Sequence, residues 1–85
     1  MDSWPRRVRD RRTVLALLRE IREEAGLRQE DLAARLGRTQ AFVSKIERGD
    51  RRVDVLELRD ICTACGTELA DFVKRFEERM EAVEP

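Results

Sequence analysis

Histidine and tyrosine are both absent from this 85-residue chain, there is one tryptophan, and the only cysteines are a single pair. Losing histidine removes the commonest general base and metal ligand. No nucleophile–base pair and no phosphate-cradling glycine loop takes its place, so a catalytic role has little support and no cofactor is expected. The alternating β-branched and aromatic runs of strands are missing too, which argues against a sheet. No apolar stretch approaches about 18 residues, so no membrane span is expected. The basic N-terminus is not followed by a secretory apolar segment and cleavage site, and a cytoplasmic, nucleoid-associated protein is expected. The length suits one small domain.

Net charge is also missing: 18 Lys and Arg balance 18 Asp and Glu. The balance hides an uneven distribution. Residues 1–12, with Arg6, Arg7, Arg9, Arg11 and Arg12, carry a local +3. Residues 35–52, with Arg35, Arg38, Lys45, Arg48, Arg51 and Arg52, carry +4, while residues 67–85 carry −3. A basic patch backed by an acidic far side orients a protein on a polyanion. Taken alone, such a cluster is equally a set of solvated helix faces.

What the chain does contain is helical periodicity. Residues 1–12 read as a basic arm, because Trp4-Pro5 disfavours helix locally. Residues 13–85 then form an all-α domain of five helices. Helix 1 is expected over Thr13–Ala25, with Val14, Leu17, Leu18 and Ile21 inward and Gly26 after it. Helix 2 spans Gln29–Leu36 and helix 3 spans Gln40–Arg48, each followed by a glycine. Asp54 is the expected cap of helix 4, whose apolar positions are Val55, Leu58, Ile61, Cys62 and Cys65. Thr67 is the expected cap of helix 5, with Leu69, Phe72, Val73, Phe76, Met80 and Val83 in a stripe.

The segment from Gln29 to Gly49 is the most specific. Leu32, Ala33 and Leu36 face Val43 and Ile46 across a turn at Gly37, where a positive φ is expected, and Thr39 is the expected cap of helix 3. Ala33 is small, as two steeply crossing helices require where they touch. Leu27 to Gly37, Val43 to Gly49 and Leu58 through Leu69 together resemble the helix-turn-helix domains of phage repressors, the lambda-repressor and Cro-like family. The resemblance covers roughly residues 13–76. It implies a compact five-helix domain that binds operators as a homodimer, with Gln29 on a phosphate and Gln40, Ala41 and Lys45 entering the major groove.

Residue chemistry fits those roles independently. A glutamine amide matches adenine N7 and N6–H, lysine donates to guanine O6 and N7, and alanine packs on a thymine methyl. Ser44 lies on the same side and is a further base or phosphate donor. Arg38, Thr39, Arg48, Arg51 and Arg52 flank the groove and read as phosphate contacts. The plain alternative for Gln40 or Lys45 is a solvated surface side chain. Phe42 stands at the edge of this face, read as partly packed beside helix 4. Arg22 and Glu47 match a family pair linking helix 1 to the end of helix 3. Arg28 departs from the family, which often has Ser or Thr there; arginine accepts no hydrogen bond, so the start of helix 2 is expected to fray slightly or to depend on tertiary contacts.

Cys62 and Cys65 have the spacing of a thiol redox or half-zinc motif. Zinc wants four N or S ligands, which this chain does not supply, and a βαβ context is missing. Core packing is the favoured reading of both. Phe76, Met80 and Val83 extend the last stripe beyond what a small core needs and are the expected dimer interface. The function expected is therefore sequence-specific binding of double-stranded DNA by a homodimeric transcriptional regulator, a repressor on a palindromic operator. The alternative is an antitoxin-like or regulatory module that acts mainly by gripping a protein partner.

Overall fold

The computed structural model describes residues 4–83, and they form five helices without a strand: α1 (Trp4–Glu24), α2 (Gln29–Leu36), α3 (Gln40–Arg48), α4 (Val55–Ala64) and α5 (Leu69–Val83). Helices α2 and α3 have the expected bounds. The basic arm does not appear as an arm, because α1 already begins at Trp4. Proline restricts the residue before it rather than those after it, and within a first helical turn its missing N–H costs nothing. Arginine propagates a helix well, so the run behind Pro5 is helical. Arg11 also ties this half of α1 to the rest of the molecule, its Nη2 donating to the Gly49 carbonyl at the end of α3 at 2.7 Å. A cation at that point meets the negative end of a helix dipole.

One apolar cluster joins all five helices. Leu17, Leu18 and Ile21 of α1 meet Leu32 and Ala33 of α2, Phe42, Val43 and Ile46 of α3, Ile61 and Cys62 of α4, and Phe72 of α5. Ala33 is buried, as its small size requires between crossing helices. Both cysteines are free and buried, and Cys65 closes α4 as its C-cap. Val55 is the apolar position of α4 that does not turn inward: it is 64% exposed, and its neighbour Leu56 is 71% exposed. They occupy the first turn of α4, ahead of the point where the helix reaches the core.

Helix ends follow their local chemistry. The Asp54 carboxylate accepts from the Glu57 N–H at 2.8 Å while Glu57 accepts from the Asp54 N–H at 3.1 Å, a reciprocal box at the start of α4. At α2 only half of such a box forms. Arg28 offers no acceptor, but the Asp31 carboxylate reaches back to the Arg28 N–H at 2.9 Å and pairs with its guanidinium. The expected fraying is thus countered by Asp31. Helix α5 starts one residue later than a Thr67 cap implies, since the Phe72 N–H bonds to the Glu68 carbonyl. Its outer half lies along α1, where Arg75 reaches Glu20 and Glu24 and Arg79 pairs with Glu20 at 2.7 Å. Among the described residues no helix is long and apolar enough to cross a membrane.

Candidate nucleic-acid interface

The turn between α2 and α3 is built by three consecutive residues. Gly37 takes φ 67°, a left-handed conformation that a side chain would resist. The Arg38 N–H then bonds back to the Ala33 carbonyl at 2.9 Å, closing α2 as a Schellman turn. The Thr39 hydroxyl accepts from the Phe42 N–H at 3.2 Å and starts α3. With Val43 and Ile46 in the core, the opposite side of α3 must face out. Gln40, Ala41, Lys45 and Arg48 are exposed there and Ser44 is half-buried. The far end is closed at Gly49, φ 83°, where an added Cβ would stand 3.2 Å from Leu15 Cδ1.

A chain of hydrogen bonds links the outward face to the interior. The Arg22 Nε donates to Glu47 at 2.6 Å and its Nη2 to the second carboxylate oxygen at 3.1 Å. Both side chains are only 8% exposed, and Nη1 is satisfied by the Leu27 carbonyl at 2.8 Å. Hydrogen bonding to Glu47 raises the Arg22 pKa against the opposing effect of burial, so the guanidinium keeps its charge. Glu47 also accepts from the Gln29 amide at 3.0 Å, and Gln29 in turn accepts from the Gln40 amide at 3.4 Å. The first side chain of α3 is therefore connected through the first of α2 to an ion pair inside the fold.

The flanking cations divide into two kinds. Arg52 is exposed, and Arg48 is exposed with an ion pair to Asp50 at 3.1 Å. Arg38 and Arg51 instead lie over the ring of Phe42, with guanidinium carbons 4.1 and 4.5 Å from its centre. Phe42 is buried beneath them. Glu57 holds both arginines, Arg51 through two bonds of 2.9 and 3.1 Å and Arg38 through one of 3.5 Å. Sequence reasoning missed Glu57. Its legible signal is the D-x-x-E spacing with Asp54, which announces a helix start but not the two arginines it gathers. Ser44 is also less available than expected, its hydroxyl donating to the Ala41 carbonyl at 3.4 Å.

Elsewhere the expected site residues fare unequally. Phe76 is half-buried and packs against the core cluster rather than standing fully exposed. It does so because α5 lies along α1. Met80 is half-buried, and the side chain of Val83 lies outside the described residues. Burial pushes the Cys62 thiol up to about 11 and raises that of Cys65, so both are neutral thiols rather than thiolate nucleophiles or ligands. Among the described residues no three His, Cys, Asp or Glu side chains gather as a metal ion needs.

These features coincide with a known sequence pattern, since residues 14–73 match the model of the helix-turn-helix domain family. The chain belongs to that family. It is similar to the uncharacterized HTH-type transcriptional regulator y4dJ of Sinorhizobium fredii, 36% identical over 58 residues, covering 68% of this chain and 75% of the relative. Among solved structures, an XRE-family like protein from Pseudomonas syringae superposes with a TM-score of 0.82 at 39% identity, covering 92% of this chain and 98% of that one. The clp gene regulator ClgR of Corynebacterium glutamicum gives 0.72 at 28% identity over 81% and 88% of the two chains. The restriction-modification controller protein C.Esp1396I gives 0.78 at 25% identity over 86% and 95%. The chain is thus an XRE-type helix-turn-helix regulator, a broader assignment than the lambda-repressor and Cro-like one its motifs suggest.

Proposed function

We propose that this regulator binds double-stranded DNA sequence-specifically as a homodimer on a palindromic operator, with α3 in the major groove, and that it represses transcription. The observation that carries the reading is the anchoring of Gln40. Its amide is held by Gln29, itself held by the buried Arg22–Glu47 pair, while the side chain stays exposed. A base-reading group gains from being oriented before it meets its target. Gln40 reads adenine, Lys45 reads guanine, Ala41 packs on a thymine methyl, and Ser44 is an auxiliary donor. Gln29, Arg38, Thr39, Arg48 and Arg52 take phosphates and set the register. The resemblance to lambda-repressor and Cro-like domains supports the same docking, and the similarity to ClgR, a clp gene regulator, and to a restriction-modification controller protein supports a role in transcription.

The second copy meets the first at Val55 and Leu56. This exposed apolar pair follows directly on the loop that closes α3, and pairing it with itself across a two-fold axis would cover the most exposed large apolar side chains among the described residues. Leu56→Asp is expected to sediment as a monomer. An interface built on Met80 would survive that change and fall to Met80→Asp.

Selection of bound fragments from random duplexes tests the whole reading. It is expected to return inverted half-sites about 34 Å apart, one DNA turn. Recovery of no sequence preference, with binding that hardly responds to salt, would favour the protein-gripping alternative instead.

A further inference from the structure

Arg51 looks like a phosphate ligand by type and place, yet three of its five N–H donors are already committed and its charge is balanced by Glu57. Both Nη1 hydrogens are used, one by the Arg52 carbonyl at 2.9 Å and one by Glu57, and Nη2 donates to the other Glu57 oxygen. One face of the guanidinium is covered by Phe42. Arg38, on the same ring, makes a single long contact to Glu57 and keeps 47% of its side chain exposed, against 36% for Arg51. Glu57 is itself fixed, because its carboxylate also receives the Asp54 N–H at the start of α4. Two arginines of the same formal charge are thus unequally available to an incoming polyanion.

We propose that Glu57 is a specificity-determining residue: it withholds Arg51 from DNA phosphates while leaving Arg38 free to take one. The inference rests on the DNA-binding reading above. A phosphate that takes the Nη1–Nη2 end of Arg51 must displace a bidentate pair, among the stronger hydrogen-bonded arrangements, and one that approaches elsewhere meets a guanidinium whose charge Glu57 already balances. The Arg51 guanidinium and the Asp54 N–H hold the Glu57 carboxyl down to about 2, so the restraint remains charged at any pH used for binding. Phosphate contacts contribute to every DNA sequence alike, whereas base contacts discriminate. Removing one phosphate contact therefore lowers affinity for random DNA and leaves the reading of bases by α3 to decide where the protein stays. Glu57 touches neither base nor phosphate in this scheme; it is a positioning residue that acts through Arg51.

Salt titrations of the full chain on its selected duplex and on a random duplex test this. Glu57→Gln keeps an oxygen for the Asp54 N–H but loses the charge. It is expected to tighten random-duplex binding roughly threefold or more and to steepen the log–log salt slope by about 0.9, one added phosphate. Adding Arg51→Ala to Glu57→Gln should remove that gain. In the otherwise unchanged protein, Arg38→Ala should flatten the slope by about 0.9 and Arg51→Ala by less than about 0.3. Weaker binding by a folded Glu57→Gln protein, or a full-unit loss of slope in Arg51→Ala alone, overturns the proposal. Should Glu57→Gln fail to fold, the two arginine variants decide it. A parent protein that binds neither duplex fails the DNA-binding reading itself, and the inference falls with it.

Discussion

Two arginine–glutamate systems, on opposite sides of α1, use the same pairing chemistry to different ends. On one side Arg22 and Glu47 are almost sealed from water and continue through Gln29 to Gln40. On the other, Arg75 and Arg79 of α5 pair with Glu20 and Glu24 of α1 with roughly a third or more of each side chain in solvent. Water screens the second set, so each of its pairs contributes little beyond helix register. Desolvation makes the first set costly to break, and its hydrogen bonds reach the outward face of α3. Burial, not charge, separates an ion pair that is costly to break from one that is not.

The sharpest way to break the comparison is Arg22→Met. It leaves the Glu47 carboxylate buried without its partner and is expected to cost about 3–5 kcal/mol in urea denaturation. The double variant Arg22→Met with Glu47→Leu should recover most of that stability, because a well-packed apolar pair replaces a buried ionic one. It should not recover operator affinity, since Gln29 then has no acceptor to orient it. A double variant with normal affinity would show that the network only stabilises.

Gln40→Ala comes next. Fluorescence anisotropy on the selected duplex should show a loss of roughly 1–3 kcal/mol, with little change on random DNA. Equal losses on both would make Gln40 a positioning group. On the opposite side of the molecule, Glu20→Ala should cost about 1 kcal/mol or less. That difference should shrink further in molar salt, as melting curves at two ionic strengths would reveal. A larger, salt-independent loss would mean the ladder is structural after all.

The mildest effect expected is on the acid side. The Arg79 hydrogen bond leads in lowering the Glu20 pKa, and Arg51 leads in lowering that of Glu57 to about 2. Both folded values lie below the ordinary 4.5. Their stabilisation is therefore complete above about pH 4.5 and is lost as pH falls through the folded values, for Glu57 towards about 2. Stability measured from pH 6 downward should decline within that window, and the decline should be shallower in Glu57→Gln. An unchanged profile in that variant would exclude Glu57 as a contributor.

Much of this was legible in the chain. Gly37, Thr39 and Gly49 mark the two short helices because a left-handed turn and a hydroxyl cap are local requirements, satisfied by single residue types. The start of α1 was misread for a related reason: Trp4-Pro5 is a local signal, but what keeps residues 4–12 helical includes the contact of Arg11 with Gly49, 38 residues away. The inward turn of Phe76 likewise follows from where α5 lies along α1. Glu57 was invisible for the same reason, since its two arginines come from different turns and meet only across the ring of Phe42.

The order of residues determined the five-helix class, the bounds of α2 and α3, and which side of α3 faces outward, because helical periodicity and end-capping act over four residues or fewer. Only the folded arrangement decided that Gln40 is anchored to a buried ion pair, that Glu57 holds Arg51 by two bonds and Arg38 by one, and that Val55 and Leu56 are the most exposed large apolar residues among those described. Those outcomes depend on desolvation and on distances between helices, and neither quantity exists until the chain has packed.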